Sequence, residues 1–112
     1  MPLINVSVSS PEVPNQEDFL KALSLKLSKL TGKPERYVMT VLQTNVPMTF
    51  GGSEGPCCYV EVKSIGGLEP KQMSNEFCQL IQMMTGISGD RIYISFEDIA
   101  PNLWGFNGQT FG

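Results

Sequence analysis

Leu30-Thr31-Gly32 followed by Arg36-Tyr37-Val38, and Met84-Thr85-Gly86 followed by Arg91-Ile92-Tyr93, are two versions of one phrase 54 or 55 residues apart. That is nearly half of a 112-residue chain. Each copy ends a helical pattern on a Thr-Gly pair and opens a strand rich in β-branched and aromatic residues. Before the first copy, Phe19, Leu20, Leu23, Leu27 and Leu30 recur at helical spacing, with Asn15 as an N-cap candidate, Asp18 three residues on, and Pro34 as the stop. Before the second, Pro70 suits a first turn, and Met73, Phe77, Leu80, Ile81 and Met84 form the apolar stripe.

Strands flank these helices. Residues 3–8 alternate Ile4, Val6 and Val8 against Asn5 and Ser7. Tyr37 to Thr44 reads as a second strand, Cys57 to Ile65 as a third with Cys58, Val60 and Val62 on its apolar face, and Arg91 to Phe96 as a fourth. The order is β-α-β twice. The fold class is therefore α+β: two pseudo-repeated β-α-β units forming one four-stranded mixed sheet with two helices on one face, in a single domain over residues 1–112. The other face, with Tyr37, Met39, Val41, Tyr93 and Ser95, is apolar enough to require cover, which predicts an oligomer. The loop of residues 45–56 contains Gly51-Gly52 but lacks the Lys-Ser/Thr ending of a phosphate loop, so it reads as a turn. The tail carries Leu103, Trp104, Phe106 and Phe111 around an Asn107-Gly108 turn.

Composition narrows the function. A net charge of −3 and a pI near 4.8 argue against a nucleic-acid footprint. No apolar run reaches membrane-spanning length, and no basic start precedes an apolar segment, so the expected location is cytoplasmic. Three cysteines make no disulfide framework, and with no histidine and no cysteine pair at ligand spacing no structural zinc site is expected. The missing histidine also removes the usual base near neutral pH. Pro2 offers a substitute. Met1 precedes a small residue, the setting in which initiator Met is trimmed. Pro2 would then carry a free secondary amine, in strand phase with Ile4, Val6 and Val8, where desolvation favours the neutral base. Taken alone, Pro2 reads better as an ordinary strand-edge residue, and Lys33 as a cation complementing a helix C-terminus.

Taken in order, Met1-Pro2, Thr31-Gly32-Lys33-Pro34, Tyr37, Phe50-Gly51-Gly52-Ser53, Pro56-Cys57, Ser64-Ile65-Gly66, Asp90-Arg91-Ile92-Tyr93-Ile94 and Asn107-x-x-Thr110-Phe111 resemble the macrophage migration inhibitory factor family, within the tautomerase superfamily, over the whole chain. The resemblance implies a homotrimer with sites at subunit boundaries and cofactor-free keto–enol tautomerisation of phenylpyruvate-type α-keto acids. It implies Pro2 as the base, with Lys33 and the Ile65 amide on the substrate carboxylate. Tyr93 and Ser95 would come from the neighbouring subunit, and Tyr37, Trp104, Phe106 and Phe111 would line the ring pocket. The chain departs from the animal pattern at Ser95, where Asn is usual, and at Phe106 and Trp104, which reshape the pocket. It also lacks the family's Cys-x-x-Cys, which removes the basis for thiol reductase activity. A cytokine-like protein leaving the cell without a signal peptide and binding a receptor is the alternative. Dehalogenase or hydratase chemistry is a weaker one, because this chain has only Arg36 and Arg91 to serve it.

Overall fold

The two repeats of the sequence reappear as two superposed patterns of structure. A computed structural model describes residues 1–112. Strand β1 spans Leu3–Val8, helix α1 Gln16–Thr31, β2 Met39–Gln43, β3 Cys58–Ser64, α2 Pro70–Thr85 and β4 Ile92–Asp98. A short hairpin, β5 Gly105–Phe106 and β6 Gln109–Thr110, closes the chain. The main sheet has the order β2-β1-β3-β4. β1 runs parallel to β2, β3 parallel to β4, and β1 antiparallel to β3. Each parallel pair is joined through a helix, as a parallel pairing demands.

Both helices cover the same face. Phe19, Leu23 and Leu27 of α1 and Met73, Phe77 and Ile81 of α2 are fully buried in one cluster with Ile4, Val6, Val60 and Val62 of the central strands. Each such side chain contributes about 1.5–3 kcal/mol of burial. The helices also end alike. Gly32 and Gly86 both adopt left-handed backbone and donate to Ser28 and Gln82. The preceding threonines bond back along the helix, Thr31 Oγ1 to the Leu27 carbonyl at 2.7 Å and Thr85 Oγ1 to that of Ile81 at 2.6 Å. Each threonine oxygen also accepts the amide two residues on, from Lys33 and Ile87. A 3-10 turn follows in each repeat, Glu35–Tyr37 and Gly89–Arg91.

Three expectations need correction. Tyr37 does not belong to the second strand. It closes the 3-10 turn, and β2 begins at Met39. Asn15 occupies the N-cap position with left-handed backbone (φ 51°) and makes no side-chain cap bond, so the capping box does not form. The helix-free face is also more polar than expected. Across the sheet its rows run Met39–Leu3–Lys63–Glu97, Val41–Asn5–Glu61–Ser95 and Gln43–Ser7–Tyr59–Tyr93. Met39 and Tyr93 are exposed apolar side chains at diagonally opposite corners.

Candidate active site

At one end of the sheet the chain folds its tail back over the start of β1 and β2. The β1–β2 register sets Leu3 beside Met39, and the Met39 amide donates to the Pro2 carbonyl at 3.1 Å. Pro2 is buried, and with no N–H it leaves no unpaired donor there. Continuing the β1–β3 register from Leu3 opposite Lys63 sets Ile65 across from Met1. The Ile65 amide is not spent on a backbone acceptor there.

The tail supplies the opposite wall. Pro101–Leu103 form a 3-10 turn, and Asn107-Gly108, both at positive φ, make the two-residue turn of the β5–β6 hairpin. The Phe111 amide donates to the Trp104 carbonyl at 3.2 Å, which brings the aromatic residues together. Tyr37 meets Phe106 edge-on at 5.8 Å, and Phe106 stacks on Phe111 at 5.7 Å. The result is a cavity of about 570 Å³ floored by Met1, Pro2 and Leu3 and walled by Tyr37, Trp104, Phe106 and Phe111. Its volume and its apolar lining with a few polar groups suit a small aromatic ligand.

The structure thus gathers Pro2, Tyr37, Trp104, Phe106 and Phe111 at one cavity. Lys33 stands just outside the lining, beyond the end of α1. Its backbone is pinned twice: its carbonyl accepts from Ser28 Oγ at 2.6 Å and its amide donates to Thr31 Oγ1 at 3.3 Å. Its charge reaches the chain start. The Met1 amine is held below the ordinary α-amine range, first by burial and then by repulsion from Lys33. Repeat symmetry makes Lys33 conspicuous, because Ile87, at the same place in the second repeat, is buried core. A cation has replaced an apolar anchor where it faces the cavity end of the sheet. The 3-10 turns Glu35–Tyr37 and Gly89–Arg91 shift the sequence pairing of Arg36 with Arg91 by one residue, so Tyr37 takes the place of Arg91, whose guanidinium binds the carbonyls of Phe50, Ser53, Gly55 and Pro56.

Tyr93 and Ser95 lie elsewhere. The Tyr93 ring packs at 4.8 Å against Phe50, and Ser95 Oγ lies 2.9 Å from the Tyr59 hydroxyl, both on the helix-free face. Within one chain neither borders the Pro2 cavity. Arg36, Lys63, Ile99 and Leu103, which the sequence did not assign to the site, do border it. Only Lys63 carried a signal, its strand phase on the helix-free face. No three His, Cys, Asp or Glu side chains converge as metal ligands. No helix is long and apolar enough to cross a membrane.

Comparison with known proteins covers the whole chain. The family model described as macrophage migration inhibitory factor matches residues 1–112. A macrophage migration inhibitory factor homolog of Brugia malayi is 36% identical over 115 residues, with all of both chains covered. The macrophage migration inhibitory factor of Rattus norvegicus is 34% identical, with 99% of each covered. The crystal structure of a macrophage migration inhibitory factor homologue from Prochlorococcus marinus is 53% identical with a TM-score of 0.94, covering 98% of this chain and 99% of that one.

Proposed function

We infer, from the premise that this chain belongs to the macrophage migration inhibitory factor family, that it is a cofactor-independent keto–enol tautomerase of aromatic α-keto acids. The observation that carries the reading is the placement of the chain start. Met1 and Pro2 line an aromatic-walled cavity, where burial and Lys33 both favour the neutral form of the Met1 amine, one residue from Pro2. In this mechanism Met1 is removed and the Pro2 nitrogen becomes the base. It takes a proton from the carbon between ring and carbonyl, and the electron pair moves onto the carbonyl oxygen. That oxygen gains a proton from water, and the hydroxide left behind takes the proton from Pro2, which restores the base; in the reverse direction protonated Pro2 donates to the carbon. Lys33 and the Ile65 amide hold the carboxylate and steady the negative charge that builds beside it. Tyr37, Trp104, Phe106 and Phe111 take the aryl ring.

Tyr93 and Ser95 enter this mechanism from a neighbouring subunit. A homotrimer would cover the exposed Met39, Tyr59 and Tyr93 of the helix-free face and bring the far edge of one sheet to the Pro2 end of the next. Light scattering at micromolar concentration is expected to show three chains per particle. A stable monomer would refute the shared site.

The decisive assay is phenylpyruvate turnover by protein whose N-terminus is verified by mass spectrometry. Activity is expected to rise with pH as the Pro2 amine loses its proton, with an apparent pKa below that of an unperturbed proline amine. Protein that retains Met1 has an amide at this nitrogen, and its turnover is expected to vanish with the fold intact. Full activity in that form would overturn the mechanism. A second reading, a receptor-binding signal protein, draws on Leu103 and Phe106, whose exposed apolar surface at the cavity rim would equally serve a protein partner.

A further inference from the structure

The charged side chains that line the cavity are Arg36 and Lys63, and no carboxylate joins them. This runs against the protein as a whole, which has 11 acidic and 8 basic residues. The two cations differ in availability. Lys63 Nζ lies 3.9 Å from Glu97, a long contact between exposed groups. Arg36 takes part in neither of the chain's ion pairs, Lys26–Glu76 and Lys63–Glu97. Its guanidinium instead sits 4.8 Å above the Tyr37 ring. Stacking restrains it at the mouth while its N–H fork remains open.

Cations therefore meet the cavity in two places. At the chain start, with the buried Pro2, Lys33 acts from just outside the lining and Lys63 lies opposite Leu3. The second place is exposed Arg36, which lines the cavity beside the Tyr37 ring it stacks on. We infer that the cavity selects aryl α-keto acids carrying a second anionic group on the ring, with Arg36 as the residue that sets this specificity. This rests on the reading of the cavity as a tautomerase site, but only its turnover arm does.

The test compares phenylpyruvate with para-carboxyphenylpyruvate, in wild type and in Arg36→Gln. A fork-to-carboxylate contact in a partly desolvated mouth is worth about tenfold. Wild type is expected to favour the diacid in kcat/KM by about that factor, and Arg36→Gln to bring the ratio close to unity. Lys63→Gln is expected to lower it less, since Glu97 already shares that ammonium. Raising the salt concentration should shrink the wild-type preference. A parallel binding measurement uses phenylacetate and para-carboxyphenylacetate, read by Trp104 fluorescence, and needs no turnover. A diacid preference in binding that disappears in Arg36→Gln, with no turnover of either keto acid, would sink the tautomerase reading and sustain this one. Equal affinity of wild type for both acids, or an equal loss of both in Arg36→Gln, would overturn it: in the second case Arg36 holds the carboxylate common to both.

Discussion

Gly67 is the position where one added methyl group should be felt in both stability and ligand binding. It has φ +73°, and a Cβ there would lie 2.8 Å from the Thr31 carbonyl oxygen and 3.5 Å from Lys33 Cε. The neighbouring Gly66 has nearly the same backbone, φ +69°, but open space where its Cβ would go. Comparing Gly67→Ala with Gly66→Ala separates the two effects. Left-handed backbone costs an alanine about 1–2 kcal/mol, and both variants bear that. Only Gly67→Ala must also displace a backbone oxygen at the end of α1, an overpacking cost of about 1–3 kcal/mol. The expected losses are thus about 1–2 kcal/mol for Gly66→Ala and about 2–5 kcal/mol for Gly67→Ala. Urea unfolding at one fixed protein concentration reads the difference, since any association would make stability depend on concentration. Because Thr31 also anchors the Lys33 amide, Gly67→Ala is further expected to raise KM for α-keto acids more than Gly66→Ala does. Equal destabilisation by the two variants would refute the close packing of residues 66–67 on the α1 terminus.

Other expectations are narrower. Lys33→Ala should weaken α-keto acids by more than tenfold, the equivalent of about 1.5–3 kcal/mol for a charge-assisted contact, and uncharged ketones far less; equal losses would remove Lys33 from the carboxylate site. The same variant should raise the pKa of the terminal amine, because Lys33 is one of the two causes that lower it, and pH-dependent amine labelling reads this directly. Arg91→Ala removes four donations to the carbonyls of residues 50–56, so limited proteolysis should cut that loop faster, and unchanged protection would show the loop to be held by other contacts. Cys58 has its thiol pKa pushed up to about 12 by burial and by its neighbours Cys57 and Cys78, so at pH 8 it should resist iodoacetamide until the protein is unfolded.

What was legible in the sequence was mostly local or periodic. The alternation of Ile4, Val6 and Val8, the stripes of both helices and the glycine caps at Gly32 and Gly86 are patterns within one element, and the structure keeps them. Tyr37 was misplaced because the signal is a matter of phase. In strand phase it would share a face with Met39 and Val41, but the turn closed by the Val38 amide on the Glu35 carbonyl takes it out of that phase and into the cavity wall. Arg36 was not assigned to the site for a related reason. A cation in a turn reads as solvated until the tail, some seventy residues later, folds over it, and that approach of Phe106 to Tyr37 has no periodic trace. Lys33 is different. Its neighbours Thr31 and Gly32 are duplicated by Thr85 and Gly86 with the same hydrogen bonds, yet the residue that follows is a half-buried cation in one repeat and buried Ile87 in the other. Two repeats under the same folding constraints should differ most where folding is not the constraint. That comparison singles out Lys33 and Tyr37 in the first repeat and Arg91 in the second: two residues at the cavity end of the sheet, and one that binds a loop the first repeat lacks.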